Sequence, residues 1–253
     1  MIELKSITAG YNDKTVLKDL SLSLPKGKLI SVIGKNGCGK STLLKTVIGI
    51  VAASGGSIII DGKSASELSR QDTAKKISYL AQGKGVPDMT VKQLVLHGRF
   101  PHLRYPRRYS KKDRDISNNA LQQMGLSDFA DTPLSELSGG MRQKAYIAMA
   151  LAQDTDYILL DEPTTYLDIS SQVELMKTLR SLADNGVGVV AVMHDLPLAF
   201  GFSDGVAVIK DGTVAAYDAP RRLCDCGIVR DVFGVDLLYS PEEGSYHYSY
   251  LLR

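Results

Sequence analysis

Runs of apolar residues along the chain predict an ordered series of strands and helices. Residues 29–33, 157–161 and 187–193 are short, mostly apolar runs, which are typical of buried parallel strands. Leucine and serine alternate through residues 20–24, which predicts a strand with one buried face. Apolar residues recur at helical spacing through residues 170–185. Further strands are predicted over 2–8, 16–24, 57–61 and 77–81, and a further helix over 40–48.

The order of these elements predicts an α/β fold in one domain. Strands and helices alternate through residues 1–82 and 155–235, which indicates a core with a parallel sheet whose first strands form an antiparallel side layer. Between them, residues 83–154 carry mostly helical signals and are predicted to form an inserted helical subdomain. Residues 236–253 are expected to form a C-terminal β-hairpin, because tyrosine alternates with polar residues there.

Composition and charge describe an ordinary globular chain. Of its 253 residues, 44% are hydrophobic and 23% are charged, which is enough apolar material for a sizeable core. The formal net charge of +2 gives no support to nucleic acid binding. No apolar run approaches the roughly 18–20 residues that cross a bilayer, and the first five residues are too polar for a secretory signal. With three cysteines and no disulfide pattern, we expect a reducing, cytoplasmic location.

A glycine-rich segment at residues 34–42, GKNGCGKST, follows a buried strand and precedes a helix. It fits the phosphate-loop pattern GxxxxGK(S/T), in which glycines let backbone N–H groups face a triphosphate. Lys40 is expected to bridge the β- and γ-phosphates, and the Ser41 hydroxyl to bind Mg²⁺. The alternative is a glycine-rich turn that happens to precede a lysine. The motif alone indicates a P-loop NTPase, a class that includes kinases, GTPases and motor ATPases. The expected nucleotide contacts are Gly34, Asn36, Gly37, Cys38, Gly39, Lys40, Ser41 and Thr42.

Two carboxylates, Asp161 and Glu162, end the apolar run YILLD and begin the turn that follows. Ligands of an open α/β sheet lie at the carboxyl ends of its strands, so both carboxylates are expected beside the phosphate loop. Asp161 is predicted to hold Mg²⁺, and Glu162 to orient or deprotonate the attacking water. The alternative is a solvated acidic turn before Pro163. Up to this point the sequence predicts a P-loop NTPase with a RecA-like core.

The segment LSGGMRQ at residues 137–143 indicates which kind of P-loop NTPase this is. Ser138 is suited to cap the following helix, and two glycines leave its first N–H groups bare, which makes an anion-binding helix end. By itself this would be an ordinary helix start, but with the other motifs it resembles the signature of the ABC ATPase family. The resemblance implies a head-to-tail homodimer, in which Ser138 and Gly140 contact the γ-phosphate held by the other copy.

The same resemblance runs from about residue 2 to 235 and implies roles for four more residues. Tyr11 would stack on adenine, and Gln82 would contact Mg²⁺ and water. Asp168 would lie at the dimer interface, and His194 would contact the γ-phosphate. Catalysis is thus expected from Glu162, His194, Gln82 and Lys40, and metal binding from Ser41, Gln82 and Asp161.

Two residues stand out within these motifs. Met141 occupies a signature position that is usually glutamine, so we expect the contacts of the dimer interface to be altered there. Cys38 lies within the phosphate loop, where Lys40 and the helix N-terminus are expected to lower its thiol pKa. No catalytic role is expected for it.

The segments GRFPHL and DEPTTYLDIS make the chain similar to the ATPases that energise import of iron–siderophore, haem and cobalamin complexes. This similarity implies transmembrane permease subunits as partners, which the region around 83–100 would contact. It also implies an indirect partner, a substrate-binding protein. The chain itself would be peripheral on the cytoplasmic face of the membrane. Seven Lys or Arg residues lie between 99 and 114, which indicates a solvated basic loop or a membrane contact. A soluble ABC ATPase with a regulatory or assembly role is the alternative function, and a P-loop kinase does not account for LSGGMRQ.

Overall fold

The computed structural model describes residues 1–12, 14–83 and 85–249, and confirms the α/β class. Its strands are β1 (Ile2–Tyr11), β2 (Lys14–Leu24), β3 (Leu29–Ile33), β4 (Ala53–Ile60), β5 (Lys63–Ser64), β6 (Ile77–Leu80), β7 (Tyr157–Asp161), β8 (Gly188–Val192), β9 (Gly205–Lys210), β10 (Thr213–Asp218), β11 (Asp236–Ser240) and β12 (Ser245–Ser249). Its helices are α1 (Lys40–Val47), α2 (Arg70–Lys76), α3 (Val91–His97), α4 (Lys111–Gln123), α5 (Gly139–Ala152), α6 (Ile169–Asp184), α7 (Leu196–Phe202), α8 (Pro220–Asp225) and α9 (Ile228–Phe233).

The core sheet has the strand order β10-β9-β3-β8-β7-β6, and all neighbours pair in parallel except β10 with β9. Every residue of β3, β7 and β8 is buried, which explains why these strands appear in the sequence as predominantly apolar runs. Because β8 lies between β3 and β7, the segments that follow these three strands meet at one edge of the sheet. The phosphate loop, the acidic pair and His194 are those segments.

A second sheet, with the order β2-β1-β4-β5, is wholly antiparallel and covers one face of the core. Its inward side chains pack with α1 and with β3 in one hydrophobic cluster. β4 begins at Ala53, four residues before the predicted strand. Residues 53–56 read ASGG and carry no apolar signal, so their pairing with β1 is a tertiary effect that a local pattern does not predict.

Helices α3, α4 and α5 lie between β6 and β7 in the chain and pack on one another. Side-chain capping boxes begin two of them, Thr90 with Gln93 at α3 and Ser110 with Asp113 at α4. The division of the chain into subdomains at residues 83 and 154 stays a prediction.

The basic stretch between 99 and 114 is not a uniform solvated loop, because Arg99 is buried. Its side chain donates to a carboxylate oxygen of Asp113 at 3.1 Å and to the carbonyl oxygens of Ala152 and Gln153 at 2.9 and 3.3 Å. These contacts join the start of α4 to the end of α5. Arg99 therefore has a structural explanation, whereas Arg104, among others, is exposed.

The C-terminal residues form the two-stranded hairpin of β11 and β12. The predicted hairpin extends to residue 253, and residues 250–253 lie outside the described part of the chain. The hairpin packs on α7 through an edge-to-face contact between Phe200 and Tyr246, whose ring centroids are 5.5 Å apart. Within the described ranges, no helix combines the length and the apolar character needed to span a bilayer.

Candidate active site

The phosphate loop joins β3 to α1, and its glycines are required by close backbone approaches. A Cβ on Gly34 would lie 2.3 Å from the carbonyl oxygen of Ile209, and one on Gly39 would lie 2.9 Å from a methyl group of Leu17. Gly39 also has a φ of 109°, which residues with a side chain rarely adopt. The backbone can therefore wrap tightly here only with glycine, as the motif predicts.

Lys40 is 6% exposed, and its ammonium group lies over the loop itself. The Nζ atom donates to the carbonyl oxygens of Gly34 at 2.7 Å and Lys35 at 3.1 Å. Both acceptors are neutral, so these bonds position the ammonium without cancelling its charge. An anionic ligand in the loop can therefore compete for it.

Asp161, at the end of β7, is 3% exposed and lies next to Ser41. The Ser41 hydroxyl donates to one carboxylate oxygen of Asp161 at 2.9 Å, and the Tyr79 hydroxyl donates to the other at 3.4 Å. Burial raises the pKa of Asp161, and the hydrogen bond from Ser41 only partly opposes it. Burial, followed by the charge of Asp161, raises the pKa of Tyr79, which therefore stays a donor. A hydroxyl beside a carboxylate offers the hard oxygen ligands that suit Mg²⁺.

Glu162 is held between Gln82 and His194. One carboxylate oxygen lies 2.7 Å from Nε2 of His194, and the other accepts from Nε2 of Gln82 at 2.6 Å. Because the carboxylate accepts, His194 must carry a proton on Nε2. Glu162 has a φ of 53°, a left-handed conformation that costs a non-glycine residue about 1–3 kcal/mol and is typical of functional sites.

Most of these groups surround one cavity of about 490 Å³, although Gly34 and Asp161 are absent from its lining. It is lined by Val16, Asn36, Gly37, Gly39, Lys40, Ser41, Thr42, Gln82, Glu162 and His194. The structure thus brings together the phosphate loop with all four residues expected in catalysis. Val16 was missed from the sequence, because an apolar residue in a strand such as β2 carries no functional signal. Tyr79 was missed too, and its strand position beside β7 is the only signal that could have found it.

The other expected contacts do not line this cavity. Tyr11 ends β1 and is 46% exposed. Ser138 caps α5 by accepting from the N–H of Met141 at 3.3 Å, and Gly140 is the second residue of that helix. Asp168 caps α6, where the Ser170 hydroxyl and the Ser171 N–H lower its pKa. Within a single chain, these four residues are therefore not part of the cavity that would hold the nucleotide.

The expected lowering of the Cys38 pKa is wrong. Burial raises the pKa of the thiol and outweighs the opposing effects of Lys40 and of a backbone N–H. The side chain packs against the hydrophobic cluster beneath the loop and is absent from the cavity lining. A motif shows the nearby charges but not the desolvation that decides the sign.

The fold and the cavity define a P-loop nucleotide-binding protein of the α/β class. Residues 17–165 match the family model described as ABC transporter. The iron(3+)-hydroxamate import ATP-binding protein FhuC of Bacillus subtilis is 40% identical over 237 residues, which cover 93% of this chain and 88% of that protein. The ferric enterobactin transport ATP-binding protein FepC of Escherichia coli is 37% identical over 233 residues, covering 91% and 86%.

Comparison with solved structures also finds ABC transporter proteins. A metal-chelate type ABC transporter in an inward-facing conformation superposes with a TM-score of 0.83 at 25% identity, covering 99% of this chain and 96% of that one. The dimeric post-hydrolysis structure of the ATP-binding cassette MJ0796 with ADP and Pi has a TM-score of 0.76 at 29% identity, covering 87% and 99%. The chain belongs to the ABC transporter family, as an ATP-binding subunit that hydrolyses ATP.

Proposed function

We propose that this chain is the ATPase subunit of an importer for metal chelates of the iron–siderophore class, and that Glu162 is its catalytic base. The geometry around Glu162 is the observation that carries the catalytic part. Gln82 and His194 fix both oxygens of the carboxylate at the mouth of the phosphate loop. A carboxylate held this way can orient a water molecule and accept its proton.

The other residues of the cavity bind and neutralise the nucleotide. ATP phosphates would accept from the backbone N–H groups of the loop, and Lys40 would exchange its bonds to two carbonyl oxygens for phosphate oxygens. Ser41, Gln82 and Asp161 would hold Mg²⁺, which supplies charge neutralisation to the phosphates when bound. The existing contact between Ser41 and Asp161 supports this set, since both offer oxygen ligands from adjacent positions.

The residues that do not line the cavity support a homodimer. Ser138 and Gly140 form a helix N-terminus that does not line the phosphate-loop cavity of their own chain, and Asp168 lies between Tyr166 and Ile169, which are 78% and 81% exposed. In a head-to-tail pair, the α5 terminus of one copy would reach the γ-phosphate held by the other. Tyr11 would cover the adenine from the end of β1.

The transported class rests on the relatives, whose names specify hydroxamate and enterobactin complexes of iron. In this proposal two copies bind permease subunits on the cytoplasmic face of the membrane, and a binding protein delivers the chelate from the other side. Deleting the gene and measuring uptake of radioactive ferric hydroxamate, ferric catecholate and cobalamin tests it. We expect the deletion to abolish uptake of one of the two ferric chelates. Expression of the wild-type chain should restore that uptake, and expression of the Glu162→Gln variant should not. Unchanged uptake of all three would refute the proposed transport role.

A further inference from the structure

His194 lies in a connection of three residues, Met193, His194 and Asp195, between β8 and α7. Both ends of this connection are fixed by hydrogen bonds to distant parts of the chain. On one side, the N–H of Met193 donates to the carbonyl oxygen of Val32 at 3.1 Å, which continues the pairing of β8 with β3. On the other side, the N–H of Leu196 donates to the hydroxyl of Tyr248 at 3.2 Å. The C-terminal hairpin therefore fixes the end that the core sheet does not.

The start of α7 shows why this bond matters. The first N–H groups of a helix have no partner inside the helix. In α7 the side chain of Asp195 accepts from Leu198 at 2.8 Å, and Pro197 has no N–H. The remaining first-turn donor is Leu196, which is 3% exposed and so out of reach of bulk water. The Tyr248 hydroxyl provides its acceptor.

Packing holds Tyr248 in the position from which its hydroxyl accepts the hydrogen bond of Leu196. Tyr248 is half-buried against the same hydrophobic cluster as Leu196, Ala199 and Phe200. Its neighbour on the same face of β12, Tyr246, contacts the edge of Phe200 one turn further along α7. β12 and α7 are therefore joined by a hydrogen bond and by ring packing at the end of α7 that follows His194.

We propose that Tyr248 is a positioning residue for ATP hydrolysis: its hydroxyl fixes the start of α7 and thereby holds His194 in contact with Glu162. This rests on the proposed role of His194 in the same site. Asp195, the N-cap of α7, directly follows His194, and the Nε2 atom of His194 is 2.7 Å from the Glu162 carboxylate. Without the hydroxyl, the buried N–H of Leu196 must find another acceptor, and the three-residue connection must shift to provide it.

The test compares two hydroxyl deletions on one face of one strand. Tyr248→Phe removes the acceptor of Leu196, whereas the matched control Tyr246→Phe removes a hydroxyl that makes no hydrogen bond within the described residues. Steady-state ATPase kinetics of the full chain should show kcat lowered roughly five- to thirtyfold by Tyr248→Phe, as a hydrogen bond of ordinary strength would imply. The KM for ATP should change less than about twofold, because the residues that bind the nucleotide keep their places. Tyr246→Phe should leave kcat unchanged.

A double-mutant cycle separates positioning from general stability. Adding Tyr248→Phe to His194→Ala should cause no further loss of kcat in single-turnover assays, because the residue being positioned is gone. An equal loss in both backgrounds would overturn the proposal, and so would equal kcat values for Tyr248→Phe and Tyr246→Phe. If His194→Ala alone keeps wild-type kcat, the proposed role of His194 fails first, and this inference fails with it. Assays run well below the melting transition of each variant exclude unfolding as the cause.

Discussion

Replacing Arg99 by methionine should destabilise the protein severely, although Arg99 touches no part of the active-site cavity. The substitution removes the cation that faces Asp113 and leaves the carbonyl oxygens of Ala152 and Gln153 without this donor. The side chain of Arg99 is 5% exposed and that of Asp113 is 12% exposed, so the carboxylate cannot be rehydrated freely. Removing one partner of a buried ion pair costs about 3–5 kcal/mol. At about 2–4 °C per kcal/mol for a chain of this size, the melting temperature should fall by about 6–20 °C.

Differential scanning calorimetry and urea unfolding measure this directly, with Arg114→Met as the matched control. Arg114 lies on the exposed face of α4, one residue from Asp113, and forms no ion pair within the described ranges. We expect the control to change stability by less than about 0.5 kcal/mol. A loss of under about 1 kcal/mol for Arg99→Met, or a loss equal to that of the control, would show that the carboxylate does not depend on the guanidinium.

The pH dependence adds an independent check on the same pair. Burial alone would raise the pKa of Asp113, but hydrogen bonds from Ser110 and from Arg99 outweigh it and lower the pKa. A lowered folded-state pKa contributes stability that is present above the unfolded value near 3.8 and is lost as the pH falls through the folded value. The wild type should therefore lose stability below about pH 4, and Arg99→Met should lose less over the same range, because one cause of the shift has been removed.

The active site and its partner surface give four further expectations. Lys40→Ala should lose most nucleotide binding while circular dichroism stays unchanged, and near-normal turnover would contradict the phosphate-loop assignment. Glu162→Gln should slow hydrolysis by roughly 10²–10⁴-fold and accumulate as an ATP-bound dimer in size exclusion with Mg-ATP; a monomer would argue against the head-to-tail pair. Maleimide should react slowly with Cys38 at pH 7 because burial raises its pKa, and faster with rising pH; a fast reaction at pH 7, measured by mass spectrometry of the modified peptide, would contradict the burial argument. Val86→Asp, in the segment expected to meet the permease, should spare the ATPase of the isolated subunit and impair uptake, and unchanged uptake would move the coupling surface elsewhere.

The sequence predicts best where the physical cause is local. β3, β7 and β8 are buried on both faces, so apolar runs placed their limits to within one residue. The phosphate loop was equally clear, because its backbone path requires glycine at fixed positions. A sequence motif predicts the structure clearly where only one residue type can adopt the required backbone geometry.

The failures come from long-range effects. Arg99 belongs to a basic run in the sequence, and only folding brings the α5 carbonyl oxygens to it across more than fifty residues. The sign of the Cys38 pKa shift depends on burial, which no motif specifies. The bond between Tyr248 and Leu196 joins a C-terminal strand to a helix about fifty residues earlier, and neither residue is distinctive alone.

The order of strands in the core sheet also has a consequence for synthesis on the ribosome. β3 has only two sheet neighbours, β8 and β9, and both are encoded more than 150 residues after it. At about 5–20 residues per second, translation leaves this predominantly apolar strand with both edges unpaired for roughly 8–30 s. The phosphate loop emerges early, but it cannot take its final shape until the strands on either side of β3 have been made. Nascent chains stalled before residue 188 should therefore fail to bind nucleotide and should recruit chaperones.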